Sequence, residues 1–278
     1  MILSAFCFAI TAGLIRYATR EVHPFEAAFL RSFSGLIFML PLVMRGGLAK
    51  ISIKRPRLHI LRGIISGIGT LMWSSALAIL PVGEAVALNF TAPLFATMMA
   101  PFVLHEVVRA RRWIACVLGF VGVLIMLRPG LEVISVGALL SIGSAATIAC
   151  NMLIIRIISQ EDNARTVVFT FSIFTSIVTL LPALFVWETP SWEMLIALVL
   201  CGLLATFAHL LLTRAMSIAE MSAIAPLDFV RLLFAAGIGF IWFSEVPDIW
   251  TALGAMVITG SAVYIARREA LSIRNKGA

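Results

Sequence analysis

The sequence predicts an all-α polytopic membrane protein whose ten transmembrane helices form two inverted five-helix repeats. Three observations predict this fold. The composition is unusually apolar, the apolar residues fall into ten runs of roughly membrane-spanning length, and the second half of the chain resembles the first.

The composition is that of a chain with most of its surface in lipid. Of its 278 residues, 61% are hydrophobic and 13% are charged, and the mean hydropathy is +1.06. Soluble domains are about 45–50% apolar and about 25% charged, and a chain of this size cannot bury the excess apolar surface. This argues against a soluble enzyme, a disordered chain or a fibrous protein. The four cysteines lie in apolar runs without CxxC spacing, so we expect neither disulfides nor a metal site.

Ten apolar runs predict the transmembrane helices, because a spanning helix needs about 20 apolar residues. The runs are continuous rather than alternating, which argues against a β-barrel. The connections are short and leave no room for a separate soluble domain. The runs cover approximately residues 1–14, 24–44, 58–80, 82–104, 113–127, 133–155, 166–187, 192–213, 222–243 and 249–266.

An internal repeat divides the chain into residues 1–128 and 133–268, followed by a cytoplasmic tail at 269–278. Because five helices per copy is an odd number, the second copy enters the membrane from the opposite side. The sixth run begins eleven residues before Ser144, whereas three residues precede its mate Ser4, so we expect a few residues to be missing before Met1. At an offset of 139, the aligned pairs include Ala76 with Ala215, Leu88 with Leu227, Phe90 with Phe229, and Glu106 with Glu245.

The distribution of basic residues predicts the topology. If the N-terminus is cytoplasmic, sixteen of the 21 Lys and Arg residues, Arg62 among them, lie on the inner side. Three, including Arg16, lie on the outer side, and Arg31 and Arg231 lie within spans. This bias predicts a multi-pass inner-membrane protein with both termini in the cytoplasm. We expect contact with anionic membrane lipids and no nucleic-acid partner, since no basic segment is large enough to fold apart.

Ionisable groups inside a span are costly and therefore indicate function. Asp228 lies six residues into the ninth predicted helix, and Arg231 follows three residues later on the same face. The pair is either a substrate- or proton-responsive charge in a water-filled cavity, or an intrahelical ion pair that neutralises itself. On the first interpretation, Asp228→Asn abolishes transport while the protein still inserts.

Polar residues recur at matching places in the two repeats. They either line a substrate pathway or form hydrogen bonds between helices. Pro93 also removes the amide that would bond the Asn89 carbonyl, which frees an acceptor there. The matching pairs are Asn89 with Asp228, Thr70 with His209, and Thr11 with Asn151.

Three more side chains have both a functional and a structural interpretation. His209 could titrate near neutral pH, bind a substrate anion or simply be hydrogen-bonded. Arg31 could attract an anionic substrate or extend to the membrane surface. Trp73 could stack on a planar ligand or pack against neighbouring helices. The candidate substrate-pathway residues are therefore Asp228, Arg231, Asn89, His209, Thr70, Asn151, Trp73 and Arg31.

Several motifs carry a resemblance to a known family. They are Pro81-Val82-Gly83-Glu84-Ala85, Pro93-Leu94-Phe95, Leu104-His105-Glu106 and Gly119-Phe120-Val121-Gly122, with Pro226-Leu227, Ser244-Glu245, Gly254 and Gly260 in the second copy. Together they resemble the drug/metabolite transporter superfamily, EamA type, over nearly the whole chain. The resemblance implies a central path lined by helices one, three, four, six, eight and nine. It also implies that Glu106 and Glu245 join adjacent helices.

The two copies are not chemically equivalent. The second copy has Leu232 where the first has Pro93, and it has Asp228 and Arg231 where the first has Asn89 and Ala92. We therefore expect any central site to be asymmetric.

These features predict a secondary transporter of small metabolites that works by alternating access. A solute gradient or proton coupling would drive it, with Asp228 and His209 as the proton carriers. No P-loop, GxSxG or dinucleotide motif occurs, so we expect neither enzyme activity nor a cofactor. Residues 23–31 resemble those of members assigned to riboflavin or S-adenosylmethionine, and amino-acid-like substrates also stay open.

Two other functions remain as alternatives. A non-transporting receptor or scaffold would tolerate neutral replacements at Asp228 and Asn89. An intramembrane lipid-modifying enzyme would need a nucleophile and base that the sequence does not offer. A homodimer is compatible with the sequence.

Overall fold

The computed structural model describes residues 1–46, 53–104, 110–127, 135–158, 161–162, 164–218 and 230–274. These residues form eleven α-helices and no strand. The helices are α1 (Ile2–Ala18), α2 (Pro24–Gly46), α3 (Pro56–Ile79), α4 (Val82–Asn89), α5 (Ala92–Leu104), α6 (Ala110–Leu127), α7 (Val136–Ile158), α8 (Ala164–Phe185), α9 (Trp192–Ile218), α10 (Val230–Phe243) and α11 (Ile249–Arg274).

The helices are those of a multi-pass membrane protein. Within the described ranges, five helical stretches are long and apolar enough to cross a membrane, and four shorter apolar helices accompany them. The helices follow the predicted runs, with two differences. The run at 82–104 is divided between α4 and α5, and the tail predicted from residue 269 continues as part of α11 to Arg274.

The break between α4 and α5 lies beside Pro93. The helix ends at Asn89, and Phe90 and Thr91 connect it to the next helix. The Thr91 carbonyl accepts a 2.9 Å hydrogen bond from the Leu94 amide, which starts α5. Because proline has no amide hydrogen, the Asn89 carbonyl cannot be bonded from position 93. The stretch Val82–Val103 is nevertheless long and apolar enough to cross the membrane as a whole.

Helix α3 lies at the centre of the fold, against α7 and α8. Its buried residues include Arg62, Ser66 and Ser74, whereas bulky residues such as Ile64 and Ile68 are exposed. In a soluble protein, the apolar face of a helix is buried and the polar face is exposed. The opposite arrangement on α3 is expected where the outer face meets lipid and the inner face meets other helices. A small and polar stripe of α3 therefore points into the bundle.

Small residues allow α3 to approach α8 closely. A Cβ atom added at Gly63 would collide with Phe174, and one added at Gly67 would collide with Val178. Glycines at this spacing let two helix backbones come together and gain van der Waals contact. The Gly63–Gly67 pair thus fixes α3 against α8.

A large cluster of buried apolar side chains packs the helices together near the end of α3. Ile15 of α1, Leu77 of α3, Leu88 of α4, Ile238 of α10 and Ile258 of α11 all belong to it. Each of these side chains is at most 8% exposed. Residues before and after position 135 therefore share one core.

Polar contacts join α3 to the second half of the chain at both of its ends. Near its first turn, His59 Nε2 lies 2.9 Å from Asp162 Oδ2, just before α8. Near its last turn, Arg16 donates to the carbonyl of Leu77 and pairs with Glu245 after α10. His59 and Leu77 are about 27 Å apart along the helix axis, at 1.5 Å per residue. The two contacts therefore lie towards opposite membrane faces.

Candidate functional site

His209 lies at the centre of the candidate site, on α9. Its ring packs edge-on against Phe8 of α1, with 4.9 Å between the ring centroids, and against Phe171 of α8 at 6.4 Å. His209 is exposed even though rings from two other helices flank it. The three rings form an aromatic cluster between α1, α8 and α9.

Arg62 places a guanidinium group on one side of this aromatic cluster. Although the sequence grouped it with the inner basic connection, Arg62 lies within α3 and is 6% exposed. Its Nη1 donates a 2.7 Å hydrogen bond to the Val167 carbonyl, and the guanidinium lies 4.8 Å from the centre of the Phe171 ring. A cation over an aromatic face is attracted by the ring quadrupole, so the ring holds the side chain in place.

Arg231 places a second guanidinium on the other side. It lies 4.8 Å from the centre of the Phe90 ring and 5.7 Å from that of Phe8. Phe90 occupies the break between α4 and α5, so the broken helix supplies the surface on which Arg231 rests. Arg231 is one of the candidates predicted from the sequence, and the structure places it beside Phe8, a ring that contacts His209.

Arg31 approaches the site from α2. Its side chain lies near Cys201 on α9. The two helices touch here, because a Cβ atom added at Gly202 would lie 2.5 Å from the Arg31 carbonyl oxygen. The side chain thus turns towards α9 rather than along the lipid-facing side of its own helix.

Three arginine side chains lie in or beside the described part of the site. Arg62 contacts the Phe171 ring and Arg231 contacts the Phe8 ring, and both rings contact His209. The ion pairs between described residues join Arg16 with Glu245, Arg55 with Glu161, and His59 with Asp162. Among those pairs, no carboxylate neutralises Arg31 or Arg62. Such guanidinium groups suit a carboxylate or another anionic group of a ligand.

The remaining sequence candidates lie in different environments, and no described contact joins them to His209. Asn89 is buried, and its Nδ2 lies 3.5 Å from Ser144 Oγ on α7. Thr70 donates to the Ser66 carbonyl of its own helix at 2.8 Å, and Trp73 packs against the large apolar cluster. Asn151 Oδ1 is buried without a hydrogen-bond partner in the described structure. Asp228 lies outside the described residues.

Sequence reasoning missed Phe8, Arg62 and Phe171. The helical period could have identified Arg62, because it lies three residues after His59 and four before Ser66. These spacings place all three residues on the face of α3 that is buried. Nothing comparable distinguishes Phe8 or Phe171 from the other 17 phenylalanines of the chain.

Glu26 was also missed as a buried group. It lies in the first turn of α2 and is 0% exposed, and its Oε2 accepts a 3.3 Å hydrogen bond from the Glu188 amide. Its Oε1 has no hydrogen-bond partner in the part of the chain that the structure describes. Glu26 joins the start of α2 to the connection between α8 and α9.

Comparison with known proteins identifies the family. The EamA-like transporter family matches residues 1–128 and again residues 135–267. The S-adenosylmethionine uptake transporter of Rickettsia prowazekii is 31% identical over 275 residues, covering 99% of this chain and 94% of the relative. The riboflavin transporter of Vibrio cholerae is 28% identical over 285 residues, covering 99% and 94%. The pseudopaline exporter of Pseudomonas aeruginosa is 26% identical, covering 96% and 95%.

A solved crystal structure supports the same fold. It superposes on this chain with a TM-score of 0.67 at 18% identity, covering 98% of this chain and 96% of the other. The helical bundle, the two family matches and the named relatives agree. The chain belongs to the EamA-like transporter family and is a membrane transporter of the drug/metabolite type.

Proposed function

We propose that the protein takes up a small metabolite by alternating access, with the His209 site as the central binding site. The ten predicted spans form two inverted halves that rock about this site. The site draws side chains from both halves, since Phe8 and Arg62 come from the first and His209 and Phe171 from the second. A site of this kind can change its access as the halves move.

The proposed substrate is S-adenosylmethionine or a closely similar compound. The observation that carries this proposal is the position of His209 between Phe8 and Phe171, beside the guanidinium of Arg62. Aromatic faces suit a flat heterocycle such as a purine, and guanidinium groups suit a carboxylate. The relative at 31% identity is named as an uptake transporter for this compound, which supports the assignment.

The proposed location is the inner membrane, with both termini in the cytoplasm. The strong excess of basic residues on one side supports this orientation. It places the start of α3 and the His59–Asp162 contact at the cytoplasmic face, and the Arg16–Glu245 contact at the outer face.

Proton coupling through His209 and Asp228 is part of the same proposal, and flux measured with and without an imposed pH gradient tests it.

Counterflow in proteoliposomes tests the transport function. Vesicles holding unlabelled S-adenosylmethionine, riboflavin or an amino-acid mixture are assayed for accumulation of the corresponding labelled compound. We expect accumulation of S-adenosylmethionine, and we expect His209→Ala to reduce it at least tenfold. His23→Ala is the matched control, because His23 is an exposed histidine at the outer end of α2. Folded protein without flux of any compound would instead support the scaffold alternative.

Riboflavin is the second candidate substrate. Aromatic side chains such as Phe8 and Phe171 also suit its flat ring system, and a named riboflavin transporter is 28% identical over 99% of this chain. The two substrates differ in charge, because riboflavin has no carboxylate to meet the guanidinium groups. Flux of riboflavin without flux of S-adenosylmethionine in the same vesicles would select this candidate.

A further inference from the structure

Two guanidinium groups of the site have N–H donors without partners among the described residues. Arg62 is 6% exposed, and one of its nitrogens, Nη1, donates to the Val167 carbonyl. The Nε atoms of Arg62 and Arg31 are buried without hydrogen-bond partners in the described structure. A guanidinium group presents five N–H donors in a fork that matches a carboxylate. Both side chains therefore keep donors available to a ligand.

No ion pair among the described side chains includes Arg31 or Arg62. A buried cation without a counter-ion is costly, because the attraction that would repay its lost hydration is missing. An anionic group that enters the site would recover part of this free energy, so these arginines favour an anionic group of a ligand over a neutral group of the same shape.

The aromatic contacts fix where the anion binds. The guanidinium of Arg62 lies over the Phe171 ring, and the same ring makes a T-shaped contact with His209. A ligand bound against His209 and Phe171 thus has its flat part next to the rings and its charged end next to Arg62. Arg31 lies on α2 where that helix touches α9, the helix that carries His209.

We propose that Arg62, assisted by Arg31, selects substrates by anchoring their carboxylate. The substrate class is then a compound with a flat ring and a carboxylate, rather than the ring alone. This inference rests on the proposed function only in taking the His209 site as the substrate site. It makes Arg62 and Arg31 the residues that distinguish a carboxylate from a neutral or cationic end group.

Matched ligand pairs test the proposal without requiring transport. S-adenosylmethionine is compared with its decarboxylated form, and tryptophan with tryptamine, because the members of each pair differ only in the carboxylate. Binding to the purified full-length protein is measured by ligand-induced thermal stabilisation and by titration calorimetry. Inorganic phosphate serves as a further probe, which shows whether any anion suffices.

We expect the carboxylated member of at least one pair to bind about tenfold or more tightly than its partner, as a charge-assisted hydrogen bond provides. Arg62→Gln removes this preference, and Arg62→Lys restores part of it because the charge remains without the fork. Arg57→Gln, at an exposed arginine five residues earlier on α3, leaves the preference unchanged. If Arg62→Gln does not fold, Arg31→Gln supplies the same comparison.

Any other result overturns either the carboxylate anchor or the proposed transport substrate. Equal binding within every pair, or a preference that survives both arginine variants, overturns the carboxylate anchor. Binding of phosphate alone, with no carboxylated compound bound, also overturns it. Carboxylate selection without flux of S-adenosylmethionine or riboflavin leaves the anchor intact and overturns the proposed transport substrate instead.

Discussion

The carboxylate of Glu245 accepts a 2.8 Å hydrogen bond from the backbone amide of Val82, the first residue of α4. The first amides of a helix have no partner within the helix, and the helix dipole makes this end positive. Glu245 follows α10, far away in the sequence, and supplies the missing acceptor. Its other oxygen lies 3.4 Å from Nε of Arg16. One carboxylate thus joins a helix start to a half-buried arginine.

The local backbone aims Glu245 at this position. Ser244 has a φ of 55°, and the Glu245 amide bonds back to the Gly239 carbonyl at 3.0 Å, which turns the chain sharply after α10. Arg16 meanwhile donates to the carbonyls of Leu77 and Ala78 at 3.0 and 2.6 Å. The ends of α1 and α3, the start of α4 and the end of α10 therefore meet at Glu245.

We predict that Glu245→Ala lowers the stability of the detergent-solubilised protein by about 2 kcal/mol, since it leaves the Val82 amide without its acceptor and Arg16 without its counter-ion. Glu245→Gln keeps an acceptor oxygen and costs about 1 kcal/mol. Thermal unfolding of the purified variants measures both losses. Glu161→Ala is the control, because it removes a carboxylate from a pair exposed by 47% and 34%, a type worth less than about 1 kcal/mol. Equal losses for Glu161→Ala and Glu245→Ala would contradict the role of Glu245.

The close approach of α3 and α8 leads to a second prediction. Gly67→Ala places a methyl group against Val178, where the two helices touch, and we expect a loss of about 2 kcal/mol from overpacking. Gly237→Ala adds the same methyl group where no described atom lies within 4 Å. The melting temperature and the monodisperse fraction in size-exclusion chromatography compare the two. A Gly67→Ala protein as stable as Gly237→Ala would show that α3 moves away without cost.

The helices and the need of Glu245 for a polar partner can be predicted from the sequence, because both depend on local patterns. Apolar runs mark the helices, and the Pro93 ring marks the break after Asn89. A carboxylate at the end of a span needs a partner, and the structure supplies Arg16 and Val82 for Glu245. The family resemblance was carried by motifs near helix ends. Such motifs determine the local backbone geometry of the helix ends.

Most of the binding site does not follow from the sequence, since it depends on how distant helices are arranged. Arg62 lies seven residues after Arg55, so its charge looked like part of a basic connection, and only packing against Val167 and Phe171 shows that it is buried. Phe171 gains its role from being opposite His209, which no local pattern predicts. The sequence could name polar residues within spans, such as His209 and Arg231, but not the rings between them.

The break in the fourth span leads to a prediction about activity rather than stability. Pro93→Ala restores an amide that can bond the Asn89 carbonyl, so α4 and α5 can join into one helix. Stability is then unchanged or higher, whereas transport falls because Phe90 leaves its position beneath Arg231. Melting temperature and initial uptake rate are measured on the same preparation. Pro101→Ala, further along α5, is the control. Unchanged uptake by a stabilised Pro93→Ala protein would separate the break from function.

A buried network at the start of α3 sets the pH dependence of stability. His59 Nε2 lies 2.9 Å from Asp162 Oδ2, and both side chains are 1% exposed. Because a carboxylate only accepts hydrogen bonds, this histidine nitrogen carries a proton. His59 Nδ1 lies 2.7 Å from Thr170 Oγ1, and the Lys54 amide donates to the other Asp162 oxygen at 3.2 Å. Asp162 thus connects three segments of the chain.

The pKa of Asp162 decides at which pH this network contributes. Burial raises the pKa of the carboxyl, but the hydrogen bonds from His59 and the Lys54 amide outweigh burial, so the pKa lies below its ordinary value. A carboxyl with a lowered pKa binds protons more weakly in the folded protein than in the unfolded chain. Its contribution to stability is therefore complete above the unfolded pKa of about 4 and is lost as the pH falls through the folded value.

We predict that Asp162→Asn lowers stability by about 2 kcal/mol at pH 7, because a charged hydrogen-bond acceptor is lost from a buried site. The difference from the wild type shrinks below about pH 4, where protonation removes the same charge from the wild-type carboxylate. Unfolding measured from pH 7 down to pH 3 in one detergent tests both parts. Thr170→Val, which removes the hydroxyl beside His59 Nδ1, is expected to destabilise the protein by a nearly constant amount above pH 4, since Asp162 stays ionised there. A loss for Asp162→Asn that stays the same from pH 7 to pH 3 would show that the carboxylate charge contributes nothing to the network.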